Sequence, residues 1–288
     1  MRLCPKCGQA LSRPEQPCPS CHHVTKTLAG HLAFAPEWAA HSEGFEAAYF
    51  ARLAQLEGAN FWFRSRNRLI IWTLKRYFPE AANFMEIGCG TGFVLSGVRE
   101  ALPNLDLSGS EIFSAGLAFA AHRLPGVELF QMDARRIPFR DEFDVIGAFD
   151  VLEHVRDDDV VLSQMHDALH KGGGIIVTVP HHPFLWSAVD THAHHVRRYK
   201  TRELREKIEN AGFNILRMTS FVSLLLPLLV ISRFRKRQTD QELDDSEVQA
   251  GPLINAALER VLDVERKIIR AGLSFPAGGS LLVVARRS

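Results

Sequence analysis

Residues 84–92 read Phe84-Met-Glu-Ile-Gly-Cys-Gly-Thr-Gly92, a short apolar run that ends in an acid and passes directly into alternating glycines. Such a run predicts a buried strand turning abruptly into a helix over a bound ligand. Glycine suits the turn because a Cβ would clash at positive φ or with a ligand lying against the backbone. The spacing selects among ligands. A dinucleotide fingerprint requires its third glycine where this chain has Phe93, and a phosphate loop requires a Gly-Lys-Ser/Thr that the stretch lacks. Glu86, two residues before the first glycine, would repel a pyrophosphate. A ligand carrying an amino group, a sulfonium and a ribose remains.

Working outward, strand and helix signals alternate. Phe93–Leu102 predicts a helix and residues 105–112 (LDLSGSEI) a second strand; the helix Ala115–Arg123 then leads to a third strand closing on Asp133. Phe143–Phe149 is a fourth strand, followed by Asp150-Val-Leu-Glu-His154. A helix is expected to end in Lys171-Gly-Gly-Gly174, before a fifth strand, Ile175–Val179, stopped by Pro180. The helix Glu203–Ala211, closed by Gly212, leads to a strand Phe213–Thr219, and Ser280–Ala285 reads as the last strand. This order implies a doubly wound, mostly parallel α/β sheet with ligands at the carboxyl ends of its strands. Glu111 falls at the tip of the second strand, beside the glycines, where a carboxylate can accept hydrogen bonds from both hydroxyls of a ribose.

The run Glu-x-Gly-x-Gly-x-Gly at 86–92 resembles the first motif of class I S-adenosylmethionine-dependent methyltransferases, and the segments to about residue 220, with the last strand, follow in that family's order. The resemblance implies a seven-stranded Rossmann-like sheet in which the last strand inserts antiparallel beside the fifth. It implies S-adenosylmethionine contacts from Glu86, Gly88, Cys89, Gly90, Gly92, Glu111, Ile112, Met132, Asp133, Ala134 and Phe149. Asp133 would meet the adenine amino group, since an ionised acid is purely an acceptor, while its neighbours stack on the ring. Glu153-His154 resembles the pair that opens the family's post-strand helix.

Cys4-Pro-Lys-Cys7-Gly8 and Cys18-Pro-Ser-Cys21 form two CxxC knuckles, the ligand set of a closed, structural, tetrahedral Zn2+ site. So short a segment has no core, and metal binding must supply its folding energy, on the order of 10 kcal/mol. His22 and His23 are read as solvated. Pro36–Gly58 shows helical spacing in Phe45, Tyr49, Leu53 and Leu56. Phe61, Trp62 and Phe63 precede a helix with Leu69, Ile70 and Leu74 in its stripe; it is either a packing helix or, with Arg66, a lid over the cofactor side. The organisation expected is a zinc-ribbon-like module over 1–30, a helical or lid region over 31–80, the α/β core over 81–220, an apolar helical insertion over 221–275 and the final core strand over 276–288.

With 288 residues, 46% hydrophobic and 23% charged, the composition is that of an ordinary soluble globular protein and excludes disorder as the main state. A net charge of +1 gives no overall field to draw nucleic acid or an anionic membrane. Cysteines and prolines, not an apolar core, follow Met1, so the cytoplasm is the expected compartment. Four of the five cysteines lie in the knuckles and Cys89 in the glycine turn, so no disulfide framework is expected.

The loop after the fifth strand places His181, His182, Trp186, Asp190, His192, His194, His195, Arg197, Arg198 and Tyr199 where an acceptor should enter. A general base is expected among His154, His181, Asp190 and His194, with acceptor binding by Trp186, Arg197, Arg198 and Tyr199. A metal cluster is not expected from these histidines, because methyl transfer from a sulfonium needs no Lewis acid and no spaced carboxylates accompany them. Residues 221–232 (FVSLLLPLLVIS) are too few to span a bilayer and run into Arg233, Arg235, Lys236 and Arg237. They read as a peripheral membrane contact, a greasy lid or one of a buried helix pair. The acidic stretch 240–247 reads as a solvated linker, and Ile254, Leu258, Val261, Leu262 and Ile269 as an amphipathic helix. The activity implied is methylation, with O-methylation favoured, of a small hydrophobic or acidic acceptor. RNA methylation using the zinc module and a non-catalytic cofactor-binding scaffold are the alternatives. Against RNA, Arg2, Lys6, Arg13 and Lys26 are a sparse set of cations around the knuckles.

Overall fold

The structure is a computed structural model that describes residues 1–12, 15–39, 47–236 and 251–288. The expected linker 240–247, Arg237 and the Phe45 end of the early helical run lie outside the described residues. Two hairpins open the chain, β1 (Arg2–Leu3) with β2 (Ala10–Leu11) and β3 (Lys26–Leu28) with β4 (His31–Ala33). A 3-10 turn over Pro36–Trp38 follows, then helices α1 (Ala47–Leu56) and α2 (Phe61–Tyr77). Phe61, Trp62 and Phe63 are the first turn of α2, not a segment before it. Asn60 caps that turn, its side-chain oxygen accepting from the Trp62 N–H at 2.8 Å.

The core then alternates as expected through β5 (Asn83–Ile87), α3 (Phe93–Ala101), β6 (Asp106–Glu111), α4 (Ser114–Arg123), β7 (Glu128–Gln131), β8 (Phe143–Phe149), α5 (Asp158–Ala168) and β9 (Leu169–Pro180). A short helix α6 (Ala188–His192), α7 (Thr201–Asn210), β10 (Phe213–Phe221), α8 (Leu226–Lys236), α9 (Pro252–Arg270) and β11 (Ser280–Arg287) complete it. Lys171–Gly174 does not end a helix; it lies inside β9. A Cβ on Gly174 would sit 2.4 Å from the Ala285 carbonyl oxygen, so glycine here admits the close approach of β11.

Among the described residues, nine strands form one sheet in the order β10-β11-β9-β8-β5-β6-β7-β4-β3. The seven strands from β10 to β7 are those implied by the sequence, and β11 inserts antiparallel between β9 and β10. The hairpin β3-β4 extends the sheet at its far edge, β4 pairing parallel with β7, so the expected boundary at residue 30 falls inside one hairpin of this sheet. Both faces are covered. Met85 and Ile87 of β5, with Leu281 and Val283 of β11, pack against Val161 and Leu162 of α5 and Leu204 and Ile208 of α7. Phe84, Leu282 and Val284, the alternate residues, pack with α2, α3, α4 and α9. Fully burying one such side chain stabilises the fold by about 1.5–3 kcal/mol, so the period-two alternation fixes each strand's register. The strand order reverses at β5, whose parallel neighbours are β6 and β8, and the crevice at their carboxyl ends is where this architecture binds ligands.

Candidate active site

The glycine turn at the tip of β5 combines two kinds of position. Gly88, Gly90 and Gly92 all have positive φ, of 67°, 52° and 76°. A Cβ on Gly88 would lie 2.6 Å from the Val151 side chain, and one on Gly92 would lie 3.1 Å from the Ala120 backbone. These two glycines let β8 and α4 close on the turn. A Cβ on Gly90 would meet nothing within 4 Å, so this glycine faces open space.

A carboxylate borders that space. Glu111, buried at the tip of β6, accepts the Gly90 N–H at 3.0 Å through Oε2 and the Ile112 and Phe113 N–H groups at 2.9 and 3.2 Å through Oε1. Burial pushes its carboxyl up, and the three backbone donors oppose the shift. Glu86 is 2% exposed and its Oε2 has no hydrogen-bond partner. Burial holds its carboxyl well above the usual range, against the Arg66 charge and the Leu95 N–H. A buried, unpartnered carboxylate oxygen beside an open backbone turn fits a cationic, donor-rich ligand of the kind S-adenosylmethionine is.

Beyond the end of β7, Met132 is buried and Ala134 half-buried. Asp133 is engaged by the chain itself: the Arg135 side chain donates to both its oxygens at 2.7–3.0 Å and stacks over Trp38 at 5.6 Å. An adenine amine would have to share or displace this contact. Cys89 is buried with its Sγ against Gly109 of β6, and Phe149 is buried and stacked on Phe84.

The tip of β8 carries the second half of the site. Asp150, at φ 57°, pairs with Arg66, whose guanidinium lies 4.4 Å over the Trp62 ring, so the first turn of α2 reaches the crevice. Glu153 is fully buried, with neither oxygen hydrogen-bonded. Burial and the Asp150 charge push its carboxyl well up. His154 packs edge-on to His195 at 4.8 Å between centroids; burial and the His195 and His194 rings pull it down to about 3. Asp190 is fully buried, and its Oδ1 accepts from His195 Nδ1 at 2.9 Å and from Arg198 Nε at 2.7 Å. Burial alone would raise Asp190, but these two donors hold it down at about 2. Its Oδ2 accepts from the Ser187 N–H at 2.9 Å and so caps α6.

Several residues expected at the acceptor site are placed elsewhere. His181 is buried, both ring nitrogens engaged by Thr201 at 3.0 Å and Ser220 at 2.9 Å, and burial, with the neighbouring His182 ring and the Arg198 charge, pulls it down to about 4; it is a core group, not an accessible base. Tyr199 is fully buried and donates to Asp158 at 2.6 Å, and Arg197 pairs with the same carboxylate at 2.9 Å. Both hold the loop to α5, and Tyr199 has no surface to offer an acceptor. Asp190 is likewise sealed and positions His195 and Arg198. Arg198 is tied to Asp190 and to the His181 carbonyl, Trp186 is half-buried, and His194 is exposed at φ 54°. Glu153 was not among the expected base or ligand residues, and His195 was expected only as one of the loop histidines from which a base would come. The Glu153-His154 pair beside a histidine-rich loop was the available signal, but which histidine faces the acid depends on tertiary packing.

The four knuckle cysteines converge. Cys4 and Cys21 Sγ are 3.6 Å apart, as are Cys7 and Cys18, and all four lie within 4.8 Å of one another. Tetrahedral zinc with Zn–S of about 2.3 Å places its sulfurs about 3.8 Å apart, so the set fits. Gly8 and His22 occupy equivalent positive-φ positions, their N–H groups bonding to the Cys4 and Cys18 carbonyls at 2.9 Å. The knuckle is stapled to the core: Leu3 N–H donates to Pro138, Arg136 to the Pro5 carbonyl, and Arg2 pairs with Glu128.

Residues 55–218, more than half of the chain, match the family model described as a methyltransferase domain. The chain belongs to the class I S-adenosylmethionine-dependent methyltransferases. It is 26% identical over 162 residues to a protein of Mycolicibacterium smegmatis described as a probable S-adenosylmethionine-dependent methyltransferase, a match spanning 54% of this chain and 60% of that protein. Among solved structures, phosphoethanolamine N-methyltransferase 2 of Haemonchus contortus, in complex with S-adenosylmethionine, matches with a TM-score of 0.52 and 18% identity over 77% of this chain and 52% of its own. Geranyl diphosphate C-methyltransferase of Streptomyces coelicolor matches with a TM-score of 0.54 and 14% identity over 77% and 76%. At these identities the solved structures share the fold with this methyltransferase-family chain, and their acceptors differ from one another.

Proposed function

We propose that the chain binds S-adenosylmethionine in the crevice between β5, β6 and β8 and transfers its methyl group to a small hydrophobic or acidic acceptor, with oxygen as the favoured nucleophile. The observation that carries the reading is the open face at Gly90, bordered by buried Glu111, with buried Glu86 near the end of β5 that leads into the turn. Bound there, the sulfonium supplies an electrophilic methyl. Glu111 and the turn would hold the sugar, Met132, Asp133 and Ala134 the base, and Glu86 the cationic end. Holding acceptor and donor in line contributes up to roughly 7–11 kcal/mol of the barrier reduction. An acceptor hydroxyl would lose its proton at the tip of β8, where Glu153, His154 and His195 face one another. The four cysteines would hold a structural Zn2+.

Two observations bear on the acceptor. Leu224, Leu228 and Ile231 around α8 and Leu253 and Ile254 of α9 are exposed, while Val222 and Leu225 are buried, so the 221–232 segment is part core and part apolar surface. This favours a greasy acceptor or peripheral contact with a membrane; among the described residues no helix is long and apolar enough to cross one. Against RNA, Arg2 is neutralised by Glu128, and Arg136 is spent on the Pro5 carbonyl. Incubating the protein with labelled S-adenosylmethionine and a cell extract, then separating lipid, protein and RNA, tests the assignment. Label in the lipid or small-molecule fraction is expected. Label confined to RNA or protein would overturn the acceptor class, and no label despite tight donor binding would leave a scaffold.

A further inference from the structure

We propose that Glu153, His154 and His195 form a binding site for a divalent first-row transition cation of the zinc class, separate from the cysteine knuckle. One ligand atom from each lies within 4.8 Å of the others, His195 Nε2 standing 4.0 Å from Glu153 Oε1. Ligands about 2.0–2.2 Å from a tetrahedral ion sit about 3.3–3.6 Å apart, so the group needs to contract by up to about 1.5 Å around one. The site rests on measurable binding and would exist whether or not methyl transfer is the chain's activity.

Glu153 supplies the first argument. Its carboxylate is 0% exposed, and both oxygens lack a hydrogen-bond partner. The two guanidiniums nearest it are committed elsewhere, Arg66 to Asp150 and Arg198 to Asp190 and the His181 carbonyl. A neutral, protonated carboxyl would still need an acceptor, and His195 Nε2 at 4.0 Å is too far for a hydrogen bond. An ion between acid and imidazoles satisfies all three groups at once.

The imidazoles supply the second. His195 Nδ1 donates to Asp190 Oδ1 at 2.9 Å, so in the neutral ring Nε2 carries the lone pair, 4.0 Å from Glu153 Oε1. The His154 ring donates to the Ala193 carbonyl. A carboxylate behind one histidine and a backbone carbonyl behind the other is the outer-shell arrangement that orients metal-ligating imidazoles. Asp190 is in turn fixed by Arg198 and by the Ser187 N–H. The Val196 N–H bonds to the Glu153 carbonyl at 2.7 Å and stitches the loop to the β8 tip, so the two halves of the site share one frame. Two nitrogens and one carboxylate suit zinc and its neighbours better than magnesium or calcium. Three protein ligands leave a coordination position for an exogenous oxygen donor, water or the hydroxyl or carboxylate of a small molecule. The sequence argued against a metal here for want of a carboxylate, and the fold brings one in from across the sheet's edge.

Metal content and titration of the full-length protein with Co2+ test the site. Wild type is expected to take up two equivalents, one with the intense thiolate-to-cobalt charge-transfer absorption of a cysteine site, the other showing only the weaker d–d bands of nitrogen and oxygen ligands. Glu153→Gln and His195→Ala should each keep the thiolate-bound equivalent and lose the second. Asp190→Asn should weaken the second by about 10–100-fold without touching the first. A wild-type protein that binds a single equivalent, or a second equivalent unaffected by both Glu153→Gln and His195→Ala, would overturn the proposal. Glu153→Gln is isosteric and removes a buried charge, so it answers the question even if His195→Ala fails to fold.

Discussion

Replacing Glu111 by glutamine isolates the group most directly tied to the proposed cofactor. In the structure its two oxygens take three backbone N–H groups, two at Oε1 and the Gly90 N–H at Oε2. Glutamine can leave its carbonyl facing Ile112 and Phe113, but its NH2 then opposes the Gly90 donor. One unsatisfied backbone N–H costs about 1–3 kcal/mol, partly offset because the buried charge is gone. Two charge-assisted bonds to ribose hydroxyls would contribute roughly 1.5–3 kcal/mol each, and a neutral amide keeps at best one at about 0.5–1.5 kcal/mol. The net loss for the ligand is about 1.5–5.5 kcal/mol, a weakening of about tenfold or more. Isothermal titration with S-adenosylmethionine reads this directly, and thermal melting checks that the ligand-free fold shifts by only a few degrees. A dissociation constant within about threefold of wild type, in a folded variant, would refute the placement of the ribose at β6.

The glycine turn makes a contrasting pair. Gly90→Leu should fold at a cost of about 1–2 kcal/mol from its left-handed backbone, since open space meets its side chain, and abolish S-adenosylmethionine binding in the same titration, whereas Gly92→Leu should fail in thermal melting through collision with Ala120 and Leu124. Glu86 sets a pH dependence. Its folded carboxyl is raised, so its contribution to the stability of the ligand-free fold is full below the unfolded value near about 4.3 and falls by up to about 1.4 kcal/mol per pH unit between that value and the raised one. Glu86→Gln should flatten that fall in urea unfolding measured across the window, and an unchanged slope would show the carboxyl is not shifted. Cys18→Ser should release the knuckle metal to a chromophoric chelator and loosen residues 1–25 toward proteolysis while leaving the donor affinity within about threefold, the fold-level separation expected of a structural zinc. Tyr199→Phe should cost about 1.5–3 kcal/mol of stability, from the lost bond to the Asp158 carboxylate, with no change in acceptor KM.

Much of the fold was legible in the sequence because its signals are local. The apolar run into Gly88, the alternating strands and helices and the final strand each read from a window of residues whose backbone demands or hydrophobic period they state themselves. The CxxC pairs were legible for the same reason: each brings two sulfurs together through its own turn. The helix end expected at Lys171–Gly174 does not form: glycines that end a helix and glycines that admit a neighbouring strand look alike until β11 is known to pair here, Arg286 opposite Gly174 and the Ala285 carbonyl against it.

The sequence by itself determined the parallel core, the glycine turn at its ligand edge and the cysteine knuckle, since residues close along the chain dictate those conformations. Only the tertiary structure decided that β3 and β4 join the sheet, that His181 and Tyr199 are sealed in the core, and that Glu153 faces His154 and His195 while Asp190 is spent on Arg198. Apart from adjacent Glu153 and His154, and Asp190 with Arg198 eight residues on, those partnerships join segments tens of residues apart, and which of several histidines or acids meets which is fixed by strand order and loop packing.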